Sequence, residues 1–159
     1  MSTLVVYFSF DGNTKFIAEK IAKTINADVI ELKTSKKYPK KGFQKYFWGG
    51  QSVIFGEKPK LTNESIDLSR YKTIIIGTPI WAGLYTPPIK SFLSQYKIQD
   101  KLIALFACHG GGGAKKCFAK LKGELSENRM IGEIDFPEPR KNQEESSAKA
   151  AKWAASLSA

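Results

Sequence analysis

The sequence predicts an α/β protein of three αβα layers, in which helices cover both faces of a parallel β-sheet. The first reason is that short apolar runs alternate with amphipathic helical patterns along the chain. The second is that the runs LVVYFS (4–9) and KTIIIGT (72–78) are apolar on both faces of a strand. Strands of this kind are typical of parallel sheets, which are buried on both sides.

The predicted elements follow one another as strand and helix, which implies right-handed crossovers between parallel strands. The helix over 13–25 places Phe16, Ile17, Ile21 and Ile25 near one face. The helix over 87–96 opens with proline, which is tolerated there because its missing N–H would have no intrahelical acceptor. The remaining predictions are strands at 27–33, 101–108 and 130–136, the last at an edge, and helices at 113–125 and 142–157.

Only residues 34–71 interrupt this alternation. We expect a helix around 42–54 and loop elsewhere in the segment, which also carries the aromatic run YFW (46–48). No repeat or interdomain linker is evident, so we expect a single domain over residues 1–159.

Composition excludes several classes of protein. No apolar run approaches the roughly 20 residues of a membrane span. The start, MSTLVVYFSFDG, lacks the basic region and cleavage site of a signal peptide, so cytoplasmic residence is expected. Cys108 and Cys117 are too few for a disulfide framework or a zinc site, and we expect two reduced thiols.

The net charge of +10, from 25 basic and 15 acidic residues, favours anionic partners. Six lysines lie between Lys33 and Lys45. This stretch is either a solvated loop or a docking face for an acidic redox partner. No nucleic-acid-binding motif accompanies it, so no nucleic-acid partner is expected.

Ligands of open parallel sheets bind outside the carboxyl ends of the strands. The first strand ends in SFDGNT, where Gly12 allows a tight turn and a helix begins near Asn13 or Thr14. Free N–H groups and the positive end of the helix dipole favour a phosphate there. A plain capped turn is the alternative, because Asp, Asn and Thr are common caps.

Two further loops follow strands three and four. TPIWAGLYTPP (78–88) carries Trp81 and Tyr85, which are either a platform for a flat ligand or rings folded back onto the core. ACHGGGG (107–113) presents clustered N–H groups or is a flexible turn. Neither a dinucleotide fingerprint nor a GxxxxGK[ST] loop is present, which argues against an ATPase.

Taken together, these motifs resemble the flavodoxin family over essentially the whole chain, and its short-chain type in particular. SFDGNT resembles the family's phosphate loop, TPIWAG the loop against the flavin ring, and CHGGGG the loop at the ring's pyrimidine side. The resemblance implies strand order 2-1-3-4-5, which is that of flavodoxin itself, and FMN as cofactor. The cofactor-binding residues that it implies are Ser9, Phe10, Asp11, Gly12, Asn13, Thr14, Thr78, Pro79, Ile80, Trp81, Ala82, Gly83, Cys108, His109, Gly110 and Gly111.

The family pattern also assigns roles within this set. It implies that Trp81 stacks on the flavin, that Ala82 and Gly83 meet its N5 edge, and that His109 contacts its pyrimidine edge. For His109 the alternative is a surface loop residue with no such role. A carboxylate, Asp11, stands where the family usually has a hydroxyl residue, and it would repel a phosphate unless it turns away to cap the helix.

The glycine-rich loop lacks the aromatic residue that many flavodoxins stack on the ring. The second flavin face is therefore open, or it is covered by Tyr85 or by the aromatic residues at 46–48. Electron-carrying flavodoxins are typically acidic, whereas this chain is basic.

These features lead us to expect an FMN-binding electron-transfer protein with no catalytic side chain. The alternative is an FMN-dependent NAD(P)H or quinone oxidoreductase on the same fold, because an open flavin face would admit a second substrate. A flavin-free receiver module would need an acidic cluster at the end of the first strand, where only Asp11 stands.

Overall fold

The computed structural model of the chain describes residues 2–38 and 56–158. Its strands are β1 (Ser2–Tyr7), β2 (Asp28–Glu31), β3 (Tyr71–Trp81), β4 (Leu84–Tyr85), β5 (Leu102–His109) and β6 (Arg129–Pro137). Its helices are α1 (Asn13–Ile25), α2 (Pro87–Gln95), α3 (Lys115–Glu124) and α4 (Gln143–Ser156), with 3₁₀ turns at Leu68–Arg70 and Pro139–Lys141. The helix expected around 42–54 and the aromatic run 46–48 lie outside the described residues.

The main sheet is parallel, with its strands in the order β2-β1-β3-β5-β6. Counted without the two-residue β4, this order is 2-1-3-4-5, which confirms the predicted fold. β6 lies at one edge, as the sequence indicates. Within the described ranges, no helix is long and apolar enough to cross a membrane.

Both faces of the sheet are buried, because neighbouring residues of each central strand point to opposite layers. In β1, Leu4 and Val6 pack in the layer that contains α2 and α3, whereas Val5 and Tyr7 pack in the layer that contains α1 and α4. The isoleucines of β3 divide in the same way, with Ile75 on the α1 side. The doubly apolar strands of the sequence therefore form the middle of the three layers.

β3 runs three residues beyond its predicted end at Thr78. Ile80 pairs with Tyr85 and Trp81 with Leu84, so the expected loop is a β-hairpin. Its turn residues Ala82 and Gly83 have φ values of 50° and 77°, as a two-residue type I′ turn requires. Pro79 concealed the continuation, because proline inside a strand ordinarily indicates that the strand has ended.

Gly77 of β3 leaves room for the ring of Phe106, its partner on the neighbouring strand β5. A Cβ at this position would lie 2.0 Å from Cζ of Phe106, whose ring is fully buried. The strands could accommodate a side chain only by displacing this ring.

We expect Gly77→Ala to lower the free energy of unfolding by about 1–3 kcal/mol or more, because overpacking forces a buried ring to move. Chemical denaturation measures the change. The matched control is Gly123→Ala in α3, where an added Cβ meets nothing within 4 Å. The control should stabilise the helix by roughly 0.5–1 kcal/mol. Equal effects of the two substitutions would contradict this account of β3 and β5.

Candidate functional site

The carboxyl ends of β1, β3 and β5 lie side by side, because these strands are parallel neighbours in the sheet. The three predicted segments, 9–14, 78–83 and 108–111, therefore meet at one edge. Helix α1 begins at this edge immediately after the first segment.

The first segment, which we call the phosphate loop (residues 9–14), caps α1 with its own side chains. Ser9 Oγ accepts the N–H of Lys15 at 3.1 Å. Asp11 Oδ1 accepts the backbone N–H of Asn13 at 3.1 Å, and its Oδ2 accepts the Asn13 side-chain N–H at 3.2 Å. Gly12 has φ +95°, which an L side chain rarely adopts. The Asp11 carboxylate thus lies at the positive end of the helix dipole, where an anion is stabilised.

Thr14 is the second residue of α1 and is completely buried. Its hydroxyl makes no hydrogen bond of normal geometry within the described structure. The Cys108 thiol lies close enough to interact with it weakly, and burial raises the pKa of that thiol to about 12. A buried hydroxyl without a partner costs free energy, so this position indicates a ligand that supplies an acceptor.

Phe8, Phe10, Tyr38 and Trp81 form an aromatic cluster beside the phosphate loop. The half-buried Trp81 ring contacts the other three with centroid distances of 5.1–5.9 Å, all edge to face. The Tyr38 hydroxyl is buried and, in the part of the chain that is described, unpartnered. Burial raises its pKa to about 12. The cluster therefore combines ring surface with a second unsatisfied hydroxyl.

Tyr85 takes no part in this cluster. It is buried in the core, and its hydroxyl donates a hydrogen bond to Glu124 Oε2 at 2.5 Å. Burial raises the pKa of its phenol. Of the two interpretations of Tyr85, the structure supports a ring folded onto the core, which argues against Tyr85 as the residue that covers the second flavin face.

The remaining residues of the second segment divide into interior and surface. Thr78 and Pro79 are buried, and the Thr78 hydroxyl accepts the N–H of Thr86 at 3.1 Å. Ile80 is partly buried, whereas Ala82 and Gly83 are exposed at the hairpin turn. Thr78, Pro79 and the equally buried Cys108 therefore support the site from below, and the turn residues present its surface.

His109 holds the glycine-rich loop with its side chain. Its Nδ1 accepts the N–H groups of Gly111 at 3.0 Å and Gly113 at 3.3 Å. Nε2 lies 2.6 Å from Asp135 Oδ2. Because Nδ1 accepts these two N–H groups, the arrangement assigns the Nε2–H as the donor to Asp135. Both nitrogens are thus engaged within the protein, while Gly110 and Gly111 are exposed.

The family model for flavodoxins matches residues 2–145 of the chain. The chain belongs to the flavodoxin family. A flavoprotein of Lactobacillus acidophilus, crystallised in complex with FMN, is 26% identical, with a TM-score of 0.72, and covers 90% of this chain and 97% of its own. Flavodoxin 2 of Bacillus cereus shares the fold at 17% identity and a TM-score of 0.64, covering 99% and 98% of the two chains. The comparison with curated protein sequences gives no match.

This member of the flavodoxin family places residues at its site that the sequence motifs do not indicate. Arg140 follows β6, and its backbone N–H donates to Asn13 Oδ1 at 3.2 Å. Its Nη1 donates to the backbone oxygen of Asp11 at 2.6 Å. Asp135, on β6, and Tyr38 join the site as well. A signal for Arg140 and Asp135 existed, because β6 ends at the same sheet edge, but the loop after the last strand carries no recognised motif.

We expect His109→Ala to accelerate amide hydrogen exchange at Gly111 and Gly113 by roughly two- to tenfold, because each N–H loses an acceptor worth about 0.5–1.5 kcal/mol. NMR of the ligand-free protein measures the rates, with amides of β5 as an internal reference. Asp135→Asn is the milder variant, since an amide oxygen still accepts from Nε2. Unchanged rates in His109→Ala would show that the loop holds its shape without the imidazole.

Proposed function

We propose that this protein binds FMN at the carboxyl edge of its sheet and transfers electrons between redox partners. The observation that carries the proposal is the buried Thr14 hydroxyl at the start of α1, which has no hydrogen-bond partner among residues 2–38 and 56–158. A phosphate oxygen at that position would accept its hydrogen bond, and the helix N-terminus would stabilise the negative charge. The flavoprotein of Lactobacillus acidophilus that the chain resembles was crystallised with FMN.

The residues at the edge suit the two ends of this cofactor. Ser9, Asn13 and Thr14 offer hydroxyl and amide groups for the phosphate. Trp81 and Tyr38 provide an aromatic surface and a free hydroxyl for the ring system. The exposed backbone of Ala82 and Gly83 and the glycine loop held by His109 provide N–H and carbonyl groups near the ring edge. FMN supplies the redox chemistry, which the surrounding protein groups tune.

Electron transfer without a catalytic side chain is favoured by the state of the ionisable groups. His109 and Asp135 bind each other and the glycine loop, and Tyr85 binds Glu124. Cys117 is buried, which raises its pKa to about 12. These side chains are engaged with one another or buried, which supports a role for the flavin alone in the redox chemistry.

A second candidate function is that of an NAD(P)H or quinone oxidoreductase. It is favoured by the glycine-rich loop, where a Cβ at Gly110, Gly111 or Gly112 would meet nothing within 4 Å. In place of a stacking aromatic residue, this loop presents small exposed residues, so a second substrate could approach the flavin from this side.

An acidic redox partner remains part of the proposal. Most of the Lys33–Lys45 stretch lies outside the described residues, and Lys36 pairs with Glu57. Support comes from Lys115 and Lys116, which are exposed at the N-terminal turn of α3, next to the glycine loop. Both add positive charge to a helix end that is already positive.

We expect Thr14→Val to weaken FMN binding by about tenfold, since a hydrogen bond to a charged group contributes about 1.5 kcal/mol or more. Riboflavin binding should be unchanged, and the ligand-free protein should be as stable as before or more so, because the unpartnered hydroxyl is removed. Titration of the apoprotein with each flavin measures both affinities.

The matched control is Thr24→Val at the other end of α1, where the hydroxyl donates to the Lys20 carbonyl. It should leave both affinities unchanged. Equal losses for FMN and riboflavin in Thr14→Val would contradict the placement of the phosphate, and a wild-type protein that binds neither flavin would refute the proposed function.

The two candidate functions differ in their response to NAD(P)H. We expect the FMN-loaded protein to keep its oxidised flavin spectrum when NADH or NADPH is added anaerobically, and to be reduced promptly once a flavodoxin reductase is supplied. The reason is that a carrier needs no binding site for the nicotinamide. Rapid bleaching of the flavin by NADH or NADPH alone would decide in favour of the oxidoreductase.

A further inference from the structure

Arg140 is attached to the phosphate loop from the far end of the chain. Its backbone N–H donates to Asn13 Oδ1, and its Nη1 donates to the backbone oxygen of Asp11 at 2.6 Å. A Cβ built on Gly12 would lie 2.9 Å from Nη1. The guanidinium therefore lies directly against the Gly12 backbone, and a side chain at position 12 would collide with it.

The charge of Arg140 is not neutralised by a carboxylate within the described structure. Its only side-chain hydrogen bond there is to the neutral carbonyl of Asp11. A guanidinium has several N–H donors in a planar fork, and Arg140 is exposed, so the remaining donors are available to a ligand.

Lys15, a second cation near this helix start in the described part of the chain, is directed toward carboxylates. Lys15 Nζ lies 4.0 Å from carboxylate oxygens of both Glu19 and Glu31. The Asp11 carboxylate adds a negative charge to the loop itself. Among the described residues, Arg140 is therefore the cation that hydrogen bonds hold at the phosphate loop.

We propose that Arg140 is a specificity-determining residue of this site, whose guanidinium neutralises the phosphate of the bound flavin. This inference rests on the proposed function and adds to it a residue outside the phosphate loop. The Thr14 hydroxyl supports the inference, because it is buried and unpartnered within the described structure and lies next to Asn13, which Arg140 contacts. A charge-assisted hydrogen bond from arginine to phosphate is among the stronger polar contacts in proteins.

The test compares FMN with riboflavin on purified apoprotein, so that the phosphate alone distinguishes the two ligands. We expect Arg140→Gln to weaken FMN binding about tenfold and riboflavin binding less than about twofold. Arg140→Lys should fall between wild type and Arg140→Gln, because the charge is kept and the planar fork is lost. Thermal unfolding of each apoprotein establishes that the variants are folded.

Arg129→Gln is the matched control, because it removes the same charge from the amino-terminal end of β6, far from the carboxyl ends of the strands. It should bind both flavins as the wild type does. If Arg140→Gln binds FMN as tightly as the control does, or loses both flavins equally, the inference is wrong and Arg140 only shapes the loop.

A second readout separates this inference from the proposed function. Inorganic phosphate is titrated into the ligand-free protein while NMR follows the amides of residues 9–14. A weaker response in Arg140→Gln than in Arg129→Gln supports the role of Arg140 even if the wild type binds no flavin. Equal responses overturn it, and a wild type that binds neither flavin nor phosphate overturns both proposals.

Discussion

The packing of the Phe106 ring on Gly77 positions helix α1 and the loops of the candidate site. Tyr7, Gly77, Phe106 and Ile134 are paired in register across four strands of the sheet. The phenyl ring shares its layer with Ile17 and Ile21 of α1, so its position also sets the position of that helix. Because the phosphate loop leads directly into α1, displacing the Phe106 ring would also displace the start of this helix.

At the carboxyl ends of the strands, the polar side chains of Asp11 and His109 are hydrogen-bonded within the protein. Asp11 caps the helix that a phosphate would otherwise cap, and His109 accepts the N–H groups of the glycine loop. Two buried hydroxyls, those of Thr14 and Tyr38, are left without a partner in the described chain. One lies at the start of a helix and the other in an aromatic cluster. A ligand with an anionic end and a polar aromatic end offers a partner to each, which is why the two observations support the same cofactor.

The sequence predicted the three layers because apolar patterns are local in the chain, whereas the strand order came from the resemblance to the flavodoxin family. β1, β3 and β5 carry apolar residues on both faces, and such strands are stable when helices cover both faces of a parallel sheet. The end of β3 was misplaced at Thr78, since Pro79 hides a strand that continues only because a tight turn folds β4 back onto it. The enclosed position of Tyr85 could not be predicted either, because it depends on Glu124 from a helix far along the chain.

The loop motifs indicate which segments meet at the carboxyl edge of the sheet, but they do not indicate side-chain geometry. Nothing in SFDGNT, for example, indicates that Ser9 and Asp11 would cap the helix themselves. For His109 the sequence left open both a contact with the flavin and a surface position with no such role, and it gave no sign that Asp135 and the glycine loop would engage its two nitrogens. The hydrogen bond between His109 and Asp135 joins two strands that are 26 residues apart in sequence, so the motif of one loop does not predict it.

The contacts of Arg140 with Asp11 and Asn13 span 129 and 127 residues of the chain. During synthesis the N-terminal part emerges first, so the phosphate loop and α1 are exposed long before Arg140 leaves the ribosome. Contacts over such separations also form late in folding, because a long loop must close before they are gained. A nascent chain therefore carries the phosphate loop before it carries Arg140, and the hydrogen bonds that join the two ends of the chain form only once the polypeptide is almost complete.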